Sequence, residues 1–209
     1  MPDTHALAER SNQSQVAVYD AIVIGAGISG MYMLYRLREL GMTARVFEAG
    51  TNVGGTWYWN RYPGARFDSE SWTYGYSFSK ELMAEWDWKE HFAPQPDTLE
   101  YLNYVADKFD LRRDMQFRST VTAAHWDEAA SQWNVTLESG ERATARFLFT
   151  AVGILSAPTL PAIFGRDSFE GPAYHPGRWP HKPVDFTGKR VGIIGTGATA
   201  IQEIGRAHV

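Results

Sequence analysis

The order of apolar and polar residues along the chain predicts alternating strands and helices from Tyr19 onward. Residues 21–24 (Ala-Ile-Val-Ile) form an unbroken apolar run, the pattern of a strand buried on both faces of a parallel sheet. The run ends in Gly25-Ala26-Gly27-Ile28-Ser29-Gly30, a tight turn. Met33, Leu34, Leu37 and Leu40 then recur at helical spacing up to Gly41, a residue suited to ending a helix. Residues 45–48 (Arg-Val-Phe-Glu) read as the next strand, which completes a βαβ unit. Residues 50–95 show neither period and are rich in Gly, Pro and aromatic residues; so long an irregular stretch inside a compact domain points to function. Asp97 is placed to cap a helix to about residue 111, with Leu99, Leu102, Val105 and Phe109 on its apolar face and Glu100 three residues on. Residues 121–126, 133–137 and 143–149 alternate as strands, separated by the turns at 129–131 and 139–140, and predict a small antiparallel meander. Prolines 158, 161, 172, 176, 180 and 183 then stiffen a connecting segment. Residues 190–195 open a second strand–turn–helix, so the two glycine turns are distant copies of one unit.

Composition narrows the function classes. With 44% hydrophobic residues in 209 the chain can build a core, and a net charge of -4 without a basic block leaves no electrostatic footprint for nucleic acid. No apolar run approaches a membrane span. The first fifteen residues are polar and lack a signal-peptide core, so a soluble cytoplasmic protein is expected, with residues 1–17 as a loose tail. The absence of Cys excludes disulfides, thiolate metal sites and a redox-active dithiol. His91 and His125 have no second ligand at metal spacing, so no metal site is expected. Many of the eight Trp, ten Tyr and eleven Phe fall between Trp57 and Trp88, either as core or as the lining of a flat ligand.

The first turn is G-x-G-x-x-G at Gly25, Gly27 and Gly30. In such a turn the first glycine permits the bend, the second lets a pyrophosphate approach, and the third lets the helix sit against its strand. Phosphates then lie on the helix N-terminus, where free N–H groups and the dipole favour negative charge. Glu48 follows Gly27 by about 20 residues, the spacing of a carboxylate that holds ribose hydroxyls. The second turn is Gly195-Thr196-Gly197-Ala198-Thr199-Ala200, with Ala in the third place. Its ribose-selecting residue would lie past residue 209, so these residues do not separate NAD from NADP. Two dinucleotide motifs around a meander suggest hydride transfer from a nicotinamide to a flavin. A disulfide reductase of the same architecture is excluded by the missing Cys pair.

Between the turns, residues 54–68 (GGTWYWNRYPGARFD) resemble the G-G-x-W-x-x-x-x-Y-P-G-x-x-x-D signature of Baeyer–Villiger monooxygenases. Residues 169–180 (FEGPAYHPGRWP) resemble their F-x-G-x-x-x-H-x-x-x-W-P fingerprint. Flavin-containing and N-hydroxylating monooxygenases share the glycine turns and a looser F-x-G-x-x-x-H pattern; Trp179-Pro180 tips the resemblance away from them, with oxygenation of sulfides or amines as the alternative. The resemblance implies an α/β flavoprotein with two dinucleotide-binding domains: a Rossmann-like FAD domain with its meander over 18–165, a linker over 166–187, and the start of a Rossmann-like NADP domain over 188–209. It implies FAD and NADPH as cofactors and a small ketone and O2 as partners, one oxygen atom being inserted through a peroxyflavin to give an ester or lactone. Gly25, Gly27, Ser29, Gly30 and Glu48 would hold the ADP half of FAD, and Val121 would meet adenine. Gly55, Thr56, Trp57, Trp59 and Tyr74 would run beside the flavin. Gly195, Thr196, Gly197, Ala198 and Thr199 would hold the nicotinamide dinucleotide. Arg66 and Asp68 would lie on the nicotinamide side, Asp68 being the catalytic candidate through a later arginine, whose fixed charge steadies oxyanions. The bland alternatives are a turn acid for Asp68 and a solvent-facing charge for Arg66. His175 either meets a phosphate or, as Pro176 and Pro180 favour, holds the linker through a backbone bond. Family members are more than twice this length, so an inactive amino-terminal fragment able at best to bind FAD weakly is expected. Residues 203–209 (EIGRAHV) resemble a translated sequencing adapter, which would end the natural sequence near residue 202.

Overall fold

A computed structural model describes residues 16–207; most of the expected tail, along with His208 and Val209, lies outside the described residues. A six-stranded mixed sheet is its centre, built of β1 (Ala17–Ile24), β2 (Ala44–Phe47), β3 (Met115–Gln116), β4 (Val121–Asp127), β5 (Gln132–Leu137) and β6 (Arg142–Thr150), in the order β3-β2-β1-β6-β5-β4. β1 runs parallel to β2 and β6, and β2 parallel to β3, while β4–β5–β6 run antiparallel. The expected antiparallel meander, β4–β5–β6, is formed and makes up the far half of this same sheet. Its last strand, nine residues long, pairs with β1 along the whole of that strand and joins both halves into one sheet.

Alternation along β1 explains how the strand is buried on both sides. Ala21 and Val23 face α1 (Ile28–Glu39), packing with Met31, Leu34 and Leu37, while Ile22 turns to the opposite face with Phe47, Val135 and Ala143. Burying each such Val, Leu or Ile contributes about 1.5–3 kcal/mol. α1 closes where expected. Gly41 adopts φ 72°, its N–H bonds to Arg38 C=O at 2.9 Å, and Met42 N–H bonds to Leu37 C=O at 3.0 Å, a Schellman ending.

The aromatic stretch holds three short helices that neither period revealed: α2 (Thr56–Trp59), α3 (Ser71–Tyr74) and α4 (Lys80–Glu85). At four to six residues they are too short to display an apolar stripe. α5 spans Gln95–Lys108 and so begins before Asp97, which lies in its first turn; Pro94 occupies the cap position, and Pro96 stands near the helix start, where a missing N–H is harmless. It ends three residues early because Asp110 takes a left-handed φ of 48°. β3, of two residues, also carried no signal.

Residues 151–197 contain no strand and only two single-turn 3-10 segments before α6 (Ala198–Ala207). The strand expected at 190–195 is not formed. Among the described residues no neighbouring strand takes up its N–H and C=O groups, and Val191 and Ile194 stay exposed. No helix among the described residues is long and apolar enough to cross a membrane.

Candidate functional site: a cleft at the strand ends

A cleft of about 510 Å³ opens at the carboxyl ends of β1, β2 and β6, the end of a parallel sheet where the chain is free to form ligand loops. Its floor is the first glycine turn. Gly25 has φ 103°, and a Cβ there would stand 2.6 Å from Ala151 O; at Gly30 a Cβ would stand 1.9 Å from Gly25 O. Those two glycines let the turn and helix pack. Gly27 differs, since a Cβ there would lie 3.4 Å from Gly55 Cα, ordinary contact at the cleft surface. Gly55 has φ 51° and opposes Gly27 so closely that its own Cβ would reach Gly27 Cα at 2.8 Å. Gly54 N–H bonds to Ala26 C=O at 3.1 Å, so the Gly54–Gly55 turn is fastened onto the first. No side chain caps α1, and its first residues, Ile28 and Ser29, border the cleft, leaving amide donors and a positive dipole end for an anion.

Glu48 is 5% exposed and fixed by two backbone amides, Ala26 N–H to Oε2 and Gly50 N–H to Oε1, each at 2.6 Å. Each oxygen keeps acceptor capacity for a further donor from the cleft. The opposite wall is aromatic: Trp57, Trp59 and Tyr74, with Thr56, line it. Trp57 Nε1–H donates to Tyr74 Oη at 2.7 Å, and the Tyr74 ring stacks on Phe67 at 4.2 Å. Burial raises the Tyr74 phenol above its ordinary range. Val121, at the start of β4, completes the far end. Of the sequence-derived ADP and flavin residues, all but Gly30 border the cleft, and Gly30 lies beneath its floor.

Two groups do not border it. Arg66 pairs with Glu90 at 3.2 Å and donates to Phe92 C=O, while Asp68 is exposed and accepts from Gln202 Nε2 at 3.3 Å. The residues of the second turn, Gly195 to Thr199, also stand apart. A Cβ on Gly195 or Gly197 would meet nothing within 4 Å, while Thr199 is half-buried against Tyr62. His175 Nδ1 accepts from Gly177 N–H at 3.1 Å, a linker-bracing bond.

Other lining residues carry no sequence signal. Ser119 and Thr120 precede β4, Thr150 ends β6, and residues 151–153 follow it. Arg178 reaches the cleft from the Pro-rich segment, its guanidinium 5.1 Å from the Trp59 ring centre and bonded to Ser156 C=O at 2.9 Å. It fills an unspecified position of the H-x-x-x-W-P motif, and only the chain's path shows it. Turned on its flat walls, the cleft suits a ligand with a diphosphate, a ribose-like diol and a planar ring.

Comparison with known proteins agrees with that geometry. A family model described as flavin-binding monooxygenase-like matches residues 18–206. The chain is 50% identical over 189 residues to a Baeyer–Villiger monooxygenase of Pseudooceanicola batsensis, covering 90% of this chain and 34% of that one. It is 50% identical over 192 residues to cyclohexanone 1,2-monooxygenase of Acinetobacter sp., covering 91% and 35%. Among solved structures, the OTEMO complex with FAD and NADP superposes with a TM-score of 0.86 at 50% identity, covering 92% of this chain and 37% of that one. The chain spans little more than a third of the length of these proteins.

Proposed function

The chain belongs to the flavin-binding monooxygenase-like family, and from that premise we propose that it forms the flavin-holding part of an FAD- and NADPH-dependent Baeyer–Villiger monooxygenase. The observation that carries the reading is convergence: a glycine-floored helix N-terminus, an amide-fixed carboxylate and an aromatic wall meet in one cleft. In this reading Gly25, Gly27, Ser29 and the helix they open receive the diphosphate, with Gly30 letting the helix close on the strand. Glu48 holds the ribose hydroxyls, and Val121 borders the adenine. Gly55, Thr56, Trp57, Trp59 and Tyr74 flank the ring system and keep water from it.

FAD held there and reduced by NADPH would supply the activation of O2, one oxygen atom being inserted beside a ketone carbonyl and the other leaving as water. The residues of the chain orient and shield. Arg178, braced on Ser156 and Trp59, places a fixed positive charge at the cleft mouth. Residues 195–199 receive the nicotinamide dinucleotide in this reading, and Asp68 steadies an arginine that pairs with developing negative charge. The division into a flavin unit (18–165), a linker (166–187) and a nicotinamide unit beginning at 188 belongs to the same proposal. So does a cytoplasmic setting, where NADPH is supplied and a chain without Cys loses nothing to reducing conditions.

The test is product analysis with the complete protein, FAD, NADPH, a cyclic ketone and isotopically labelled O2. A lactone carrying one labelled oxygen is expected. Sulfide or amine oxides without lactone would shift the reading to heteroatom oxygenation, and absence of any oxygenated product with normal flavin reduction would overturn it.

A further inference from the structure

One side chain ties the second glycine turn to the first half of the molecule. Gln202 lies on α6, and its carboxamide is fully engaged. Oε1 accepts from Tyr62 O–H at 2.8 Å and from Arg66 N–H at 3.4 Å; Nε2 donates to Arg66 C=O at 3.0 Å and to Asp68 Oδ1 at 3.3 Å. The amide thus matches both backbone groups of Arg66, as a neighbouring strand would, and ends on the Asp68 carboxylate. On its other side the same segment is held by α5: Arg66 bridges Pro94, and Gln95 N–H bonds to Ala65 C=O at 2.7 Å. Gln95 then donates from Nε2 to Trp57 C=O at 2.5 Å. A continuous polar path therefore runs from α6 through residues 65–68 to the aromatic wall of the cleft.

We propose that Gln202 is a positioning residue, fixing the segment that carries Arg66 and Asp68 in register with the helix of the second glycine turn. The choice of amide follows from the partners. Two acceptors (Arg66 C=O and Asp68) and two donors (Tyr62 O–H and Arg66 N–H) converge, and only a group with both functions satisfies all four. A carboxylate in its place would accept from Tyr62 and Arg66 but would leave Arg66 C=O unpaired and repel Asp68. A consequence, which rests on residues 195–199 taking a nicotinamide dinucleotide, is that filling that turn tightens the Arg66–Asp68 segment through Gln202.

The experiment is limited trypsin cleavage of the 209-residue chain at Arg66–Phe67, with cleavage after Arg142, inside the sheet, as an internal reference. Cutting at Arg66 reports local opening, because the segment must leave its partners to enter a protease. Gln202→Ala and Gln202→Glu are each expected to speed cleavage at Arg66 about tenfold, the loss of one to two net hydrogen bonds, with the Arg142 rate unchanged. Equal rates at Arg66 in wild type and both variants, or equal acceleration at both sites, would overturn the positioning role. Added NADP+ is measured separately by binding calorimetry. If it binds wild type and Gln202→Ala alike but slows Arg66 cleavage only in wild type, the coupling holds; if it binds and protects neither or both, the coupling fails. If it does not bind at all, the reading of the second turn fails and the cleavage comparison still judges Gln202.

Discussion

Gly27 and Gly30 belong to one motif, yet the structure assigns them opposite sensitivities. At Gly30 a methyl group would stand 1.9 Å from the Gly25 carbonyl oxygen, well over 1 Å inside ordinary contact, and the obstacle is backbone that cannot swing aside. Forced overpacking costs about 1–3 kcal/mol or more, and the helix propensity gained on replacing glycine by alanine returns at most about 1 kcal/mol. A net loss of about 1–2 kcal/mol, divided by a urea slope of about 2 kcal/mol/M, lowers the unfolding midpoint by roughly 0.5–1 M. At Gly27 the same methyl meets Gly55 Cα at 3.4 Å, a contact that needs little or no movement, but it projects at the floor on which a diphosphate would rest. Gly27→Ala should therefore leave the midpoint nearly unchanged and weaken FAD binding by more than tenfold, whereas Gly30→Ala should lower the midpoint first. Urea unfolding followed by circular dichroism, paired with FAD titration by fluorescence quenching, separates the two. An FAD affinity unchanged in Gly27→Ala, or an undiminished midpoint in Gly30→Ala, would refute the packing argument.

Glu48→Gln should destabilise the fold by about 1–3 kcal/mol, because its NH2 group would face one of the two buried backbone donors the carboxylate now satisfies; an unchanged midpoint and FAD affinity would count against that role. Tyr101, buried against Trp86 and Trp88, is pushed up from 10.0 to about 12 by burial. The folded state then binds the extra proton between pH 10 and 12, so stability is constant below that window with respect to this group and falls as pH rises through it. A phenolate absorbance that titrates at 10 in the folded chain for every tyrosine would contradict this. Asp68→Ala should leave FAD binding intact, since Asp68 does not border the cleft, yet sharply reduce lactone formation by the complete protein; full lactone yield would remove Asp68 from the mechanism.

The first βαβ unit was legible because its signals are local. An apolar run, three glycines at fixed offsets and a carboxylate about 20 residues on are written in the order in which they act. Trp57 stands in a family signature, and Trp59 and Tyr74 follow from the wider resemblance rather than from periodicity, which reveals neither of their helices, α2 and α3. What escaped depends on meetings of distant segments. Nothing in Gly55 announces that its Cα opposes Gly27, nor in Arg178 that it crosses to Trp59, nor in Gln202 that it spans back to Tyr62. The strand pattern at 190–195 shows the converse failure: sequence supplies the apolar residues, but a strand forms only where another offers its hydrogen-bonding edge.

The most direct measurement is competition binding to the 209-residue chain. On the proposed assignment, a site built from a helix N-terminus, an amide-fixed carboxylate and a flat far wall would recognise FAD chiefly by its ADP half. FAD should bind saturably, if weakly; ADP should displace it from the same site, and FMN, which lacks the adenosine, should compete poorly. FMN binding as tightly as FAD, or ADP failing to displace it, would contradict the assignment of this cleft.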